Sequence, residues 1–114
     1  MVSAATVQQL KSAYQAWNAE KAARAEPWLD LMADDVDFRS IAGGAPAMQW
    51  SRTHSSKQQV SSYFSELVRD WEMLFFQVRF LLVSGDTVAA VGECSWRHKK
   101  TRKVVHTPKL DIFR

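Results

Sequence analysis

The chain predicts an α+β fold, with helices gathered on one side of a curved antiparallel sheet in the order α-α-β-α-β-β-β. Three features carry that expectation. The run MLFFQVRFLLV from Met73 is dominated by aromatic and branched side chains, and Ser84-Gly85-Asp86 turns it into TVAAVGECSW, a second strand running back. The polar knot RHKKTRK from Arg97 has no apolar residue to bury and reads as a second turn, after which VVHTPKLDIF from Val104 returns as a third strand. Upstream of Met73, apolar residues recur three and four apart, the period of helices that cover one face of a sheet.

In chain order, Val7, Leu10, Tyr14 and Trp17 form one stripe of an amphipathic helix that starts at Ser3 or Thr6 and runs to about Arg24. Glu26-Pro27 opens a second, shorter helix, since proline is tolerated in the first turn; Trp28, Leu31 and Met32 are its buried side, and Asp34-Asp35 closes it. Val36–Ser40 alternates apolar and polar, the pattern of a short first strand with one wet face. From Ile41 to Thr53, Gly43-Gly44, Pro46 and the lone aromatic Trp50 mark a loop. Ser55 and Ser56 each have a glutamine three residues on, two overlapping capping boxes for a third helix. Val60, Tyr63, Phe64, Leu67, Val68 and Trp71 keep helical spacing along its apolar face.

At 114 residues the chain is expected to be one domain, 1–114. Hydrophobic residues at 46% and charged residues at 24% exclude a disordered chain. The net charge of +3 comes largely from Arg97, Lys99, Lys100, Arg102 and Lys103, a local feature of the second turn. That turn lacks interleaved aromatics for base stacking, so a soluble hairpin tip is expected and nucleic acid is not. A single cysteine, Cys94, makes no intrachain disulfide, and the cytoplasm is the default compartment. No segment approaches the roughly 20 apolar residues that cross a bilayer, and the first residues carry no charged leader, so neither membrane nor export is expected.

The pieces WNAEKAARAEPWLDLMADDVDF, YFSELVRDW, SGDTVAAVGE and KVVHTPKLDIFR resemble the nuclear transport factor 2-like superfamily, nearest to its SnoaL-like and ketosteroid-isomerase-like branches. The resemblance spans nearly the whole chain. It implies a cone-shaped α+β fold whose three helices and bent sheet enclose one apolar pocket, and it implies a homodimer joined through the outer sheet face. Members of the superfamily continue past the strand equivalent to KLDIFR with a turn and a final strand, whereas this sequence ends at Arg114. The expectation is therefore a domain with its last strand missing and Val104–Phe113 left as an edge that invites pairing.

Ketosteroid isomerases of this resemblance use an aspartate after the first strand as a base, with a helix-one tyrosine and a late-strand aspartate as oxyanion donors. Matching ADDV puts the base position on Ser40, and matching the helix around Asn18 puts the tyrosine position on Ala13. Tyr14, one residue away, is turned by about 100° on a helix and reads as a poor substitute. The late aspartate alone matches, as Asp111. An acid in an apolar site can stay protonated and donate to an oxyanion, so Asp111 is the first catalytic candidate; without a base, steroid-type isomerisation is not expected.

Asp111 and Lys109 are two apart on a strand and share a face. If both hairpin turns have two central residues, Arg79 and Gln77 join them, either as a polar cluster at a pocket floor or as an ion-pair patch on the outer face. His54 is the second catalytic candidate, an acid/base by its near-neutral pKa, although the absence of a paired carboxylate or nucleophile in the local sequence favours a solvent-exposed or a helix-entry residue. The histidines are scattered and Asp34, Asp35 and Asp37 read as solvated, so neither a metal nor an organic cofactor is expected. Tyr14, Trp17, Trp28, Phe38, Trp50, Tyr63 and Phe64 are the candidate pocket wall, with Ser40, Arg79 and Lys109 as its polar members. Two functions follow. One is a small-molecule pocket protein of unassigned reaction, extending to isomerase, cyclase or lyase chemistry on a small apolar carbonyl compound; the other is a non-catalytic dimerisation or interaction module.

Overall fold

The computed structural model describes residues 2–38 and 53–114. They divide into two compact units, one made by Met1–Arg24 with Trp71–Arg114 and the other by Ala25–Asp70. Among the described residues, three helices and an antiparallel three-stranded sheet make the fold α+β, as the residue pattern predicts.

The first unit opens with helix α1, Ala4–Ala19. Of the two starts the sequence allows, the chain uses Ser3, whose hydroxyl accepts the Thr6 N–H at 3.1 Å. The helix ends well before Arg24. Ala22 N–H reaches back to the Trp17 carbonyl at 3.0 Å and Lys21 N–H to that of Asn18 at 3.2 Å, a Schellman closure. It places Lys21 and Ala22 at φ of 52° and 64°, where glycine is usual, so no glycine signal marked this end. Leu10, Ala13, Tyr14 and Trp17 are the buried stripe.

Strands β1 (Trp71–Ser84), β2 (Thr87–His98) and β3 (Val104–Phe113) form an antiparallel meander in that order. The first turn has two central residues between paired Ser84 and Thr87, with Gly85 at φ +60°; a glycine first and no positive φ at Asp86 is the type II′ pattern that suits strand twist. The second turn is longer. His98 N–H bonds the Lys103 carbonyl at 2.9 Å and its own carbonyl accepts from Arg102 at 2.8 Å, leaving a four-residue tip with Arg102 at φ 64°.

Because paired residues point to the same side, the register defines two faces. One holds buried Met73, Phe76, Val88, Ala90 and Cys94, and Phe76 there takes the stacked ring of Tyr14 from α1 at 5.7 Å. The other leaves Phe80, Leu82, Leu110 and Ile112 from 50% to 63% exposed.

Register shifts at Met73/Phe75 and at Val78/Phe80 insert Leu74 and Arg79 as extra residues and bend β1. Gly92, opposite Val78 at the second shift, permits this approach: a methyl placed there would lie 1.9 Å from the Gln77 carbonyl oxygen.

In the second unit, α2 is the short helix Glu26–Leu29 with Pro27 in its first turn. Helix α3 spans Lys57–Asp70 and buries Val60, Phe64 and Leu67. Its start selects the second capping box: Ser56 Oγ accepts the Gln59 N–H at 3.2 Å, while the Gln59 side chain reaches back to the Ser55 N–H at 2.8 Å. The expected first strand is represented by Phe38, whose backbone forms an antiparallel bridge with His54 through bonds of 2.8 and 2.7 Å. Ser40, Trp50 and most of the predicted loop lie outside the described residues. Among the described residues no helix is long and apolar enough to cross a membrane.

The contact at Gly92 makes a direct prediction. Gly92→Ala has to push β1 and β2 apart at the bulge, and urea denaturation should show a loss of roughly 3 kcal/mol, the upper end for overpacking. A midpoint equal to that of the unsubstituted protein would mean that β1 does not approach β2 in this way.

Candidate functional site

A polar chain joins the first helix to the last strand. Asp111 pairs with Ala90 and Lys109 with Gly92, so both project from the face that also buries Ala90 and Cys94. Tyr14, 5% exposed, comes down from α1 between Phe76 and the edge of the Phe113 ring at 6.2 Å. Its phenol donates to Asp111 Oδ2 at 2.6 Å, and the Lys109 ammonium meets Asp111 Oδ1 at 2.9 Å. The first distance belongs to charge-assisted O–H···O bonds. Burial, then the negative charge of Asp111 and the bond to it, hold the Tyr14 phenol far above its ordinary pKa of 10.0, so it keeps its proton.

Two expectations are corrected here. Tyr14 is a full partner of Asp111 rather than a rotated near-miss, because its long side chain and seat on Phe76 carry the hydroxyl to the strand. Asp111 is an acceptor at both oxygens, which is opposite to the donor role expected of it.

The predicted four-residue cluster divides. Arg79 Nη2 bonds Glu93 Oε1 at 2.6 Å, and Glu93, paired with Gln77 and Pro108, also takes His106 Nε2 at 2.9 Å. These residues occupy the exposed face, where Arg79 and His106 hold the Glu93 carboxyl below its usual range. The reason is the extra residue at the second bulge, which sets Arg79 apart from Lys109 and Asp111. Glu93 was missed by sequence reading. Its signal is its place one residue beyond Gly92 on the alternating strand, legible once the bulge at Arg79 is known.

His54 is corrected as well. At 1% exposure it is buried rather than solvent-exposed, and of the two structural alternatives it takes the helix entry, three residues before Lys57 opens α3. Its bridge to Phe38 pins the backbone, and its ring lies 6.0 Å from that of Phe38 and 5.6 Å from that of Tyr63. Phe38 and Tyr63 meet at 4.9 Å and Tyr63 and Phe64 at 5.0 Å, so these four candidates gather in one aromatic cluster of the second unit. Trp17 and Trp28 are buried, each in its own unit, and Asp34, Asp35 and Asp37 are exposed. Among the described residues no three His, Cys, Asp or Glu group as metal ligands.

The chain matches the SnoaL-like domain model over residues 10–114. It belongs to the SnoaL-like family. No protein of curated function matches it. Among solved structures, a nuclear transport factor 2-like protein of unknown function from Burkholderia pseudomallei K96243 superposes with a TM-score of 0.76 at 14% identity, over 95% of this chain and 79% of that one. A nuclear transport factor 2-like protein from Burkholderia thailandensis E264 gives 0.75 at 22%, over 94% and 78%. A Rhodopseudomonas palustris protein described as a candidate isomerase gives 0.69 at 11%, over 100% and 82%. At these identities the likeness is one of fold, and the SnoaL-like chain shares it.

The Tyr14 bond has a testable signature in alkali. The raised phenol pKa means that the folded protein holds a proton the unfolded chain releases, so stability present below pH 10.0 falls as pH rises above it, by up to about 1.4 kcal/mol per unit. Urea unfolding of Tyr14→Phe across pH 8 to 11 should show about 1 to 2 kcal/mol less stability at neutral pH and a flatter alkaline decline. Identical slopes would count against the buried bond.

Proposed function

We propose that this SnoaL-like chain binds a small apolar carbonyl compound, with Lys109 donating to the carbonyl oxygen and Asp111 and Tyr14 fixing that lysine in place. The carrying observation is the Tyr14–Asp111–Lys109 chain, with bonds of 2.6 and 2.9 Å on the sheet face that α1 covers. A cation on a flexible stem becomes a precise donor when a carboxylate holds it, and a carboxylate stays put when a buried phenol holds it in turn. The Lys109 side chain is 40% exposed against 25% for Asp111, so of the pair it is the more accessible to a ligand.

Isomerase, cyclase or lyase chemistry extends the same reading. A donor at a carbonyl oxygen stabilises the negative charge that develops there on enolisation, worth a few kcal/mol. The isomerase description of the Rhodopseudomonas palustris neighbour fits that extension. The step also needs a proton-abstracting base, and the position the family resemblance assigns to it holds Ser40, a hydroxyl.

Titration with 2-acetonaphthone, followed by tryptophan fluorescence, tests the binding. Asp111→Asn removes the charge that holds Lys109 and should weaken binding by about 1 to 3 kcal/mol. Affinity unchanged by that substitution would retire the site.

A second reading, self-association, has its own support. Phe80, Leu82, Leu110 and Ile112, each 50% or more exposed, stand together on the face away from α1, the kind of apolar patch that marks an interaction surface. A second copy could cover it about a two-fold axis, each chain presenting the same strands, which agrees with the homodimer implied by the family resemblance. Sedimentation velocity should then give a dimer that Leu110→Glu converts to monomer. An unsubstituted protein that sediments as a monomer at high micromolar concentration would exclude it.

A further inference from the structure

A groove of about 320 Å³ runs between α1 and the edge of β1, wholly within the first unit. Helix α1 lines it with Lys11, Tyr14, Gln15 and Asn18, positions three and four apart on one helix face, and β1 lines it with the residues from Phe76 to Leu81. The volume is at the small end of those that hold low-molecular-weight ligands. Its strand wall mixes apolar Phe76, Val78, Phe80 and Leu81 with Gln77 and Arg79, its helical wall is polar, and no carboxylate side chain lines it.

The direction of the helix orders these groups along the groove. Val2 N–H bonds the Gly85 carbonyl at 3.1 Å and Asn18 Oδ1 accepts the Phe76 N–H at 2.8 Å, so α1 runs antiparallel to β1. Lys11 therefore stands toward the Leu81 end and Asn18 at the Phe76 end, about 10 Å away at 1.5 Å per residue. Arg79, beside that Leu81 end, is ion-paired to Glu93 at 2.6 Å and so adds donors with little net charge. Lys11 has no ion-pair partner among the described residues and is the net charge of the groove.

We propose that this groove is a second binding site, for a small organic anion with a flat apolar body. The anionic group sits at Lys11, and the body lies along Val78 and Phe76 against the Tyr14 ring, toward the Asn18 carboxamide. The site lies beyond the Asp111–Lys109 pair, neither of which lines it. Charge complementarity selects the class: a cation at one end, carboxamide and phenol groups between, and no carboxylate side chain in the lining.

The test compares 2-naphthoate with neutral 2-naphthamide in a backbone amide NMR titration. Shifts should concentrate in residues 11–18 and 76–81, and naphthoate should bind about fivefold more tightly than the amide, the worth of one exposed ion pair. Lys11→Gln should abolish that preference, whereas Lys99→Gln at the hairpin tip should keep it. Equal affinity for acid and amide, or shifts centred on residues 104–112 of the exposed sheet face, would overturn the proposal.

Discussion

The hydrogen bond from Tyr14 to Asp111 connects residues 97 positions apart, the N-terminal helix to the last strand. Much of the first unit is arranged around it. A phenol at 5% exposure has few alternatives to a protein partner, and a carboxylate under a helix needs donors to replace water. Each therefore makes the other tolerable in that position. The Tyr14 ring meanwhile stacks on Phe76, and Asn18, one helical turn further along α1, accepts the Phe76 N–H on the edge of β1. Apolar packing and the polar bond thus secure the same seam.

That seam depends on strand register, and the register depends on Gly92. A one-residue slip would move Asp111 to the exposed face and bring Leu110 or Ile112 beneath α1. The bulge at Arg79 is admitted because Gly92 presents no side chain to the Gln77 carbonyl. The same bulge sends Arg79 to Glu93 and separates the two sets of charges. One face then holds Lys109 with Asp111, and the other holds Arg79, Glu93 and His106 among exposed apolar residues. A glycine with no chemistry of its own decides which charges can meet.

The meander strands and the three helices were legible because they rest on local pattern, period two in VVHTPKLDIF and period 3.6 around Val60 and Phe64, whereas Asp111 is singled out by the family resemblance. The residues that sequence reading misplaced depend on non-local geometry. Lys21 and Ala22 adopt left-handed backbone without glycine, so the end of α1 carried no marker. The extra residue at Arg79 changed which side chains share a face, and it does not announce itself in composition. No carboxylate or nucleophile near His54 in the sequence suggests a packed role, yet the structure buries it in the Phe38–Tyr63 cluster. Tyr14 was discounted by a rotation argument that considers only where its Cα sits. The length of the side chain and the aromatic floor beneath it carry the hydroxyl the rest of the way.

The direction of the hydrogen bonds bears on chemistry more strongly than the identity of the residues. An aspartic acid that stabilises an oxyanion must keep its proton and point it at the ligand, and a tyrosine in the same task must do likewise. Here the phenol proton points at Asp111, and Asp111 accepts from both of its partners. Polarity in the chain therefore runs from tyrosine and lysine toward the acid. The donor that could meet a carbonyl has moved to Lys109, two residues earlier on the same face of the same strand. A donor alone is sufficient to orient and retain a ligand, whereas enolisation also demands a base matched to the proton it removes. The proposed recognition of a carbonyl oxygen therefore asks only for the Lys109 donor, whereas turnover would ask for a base from residues other than these three.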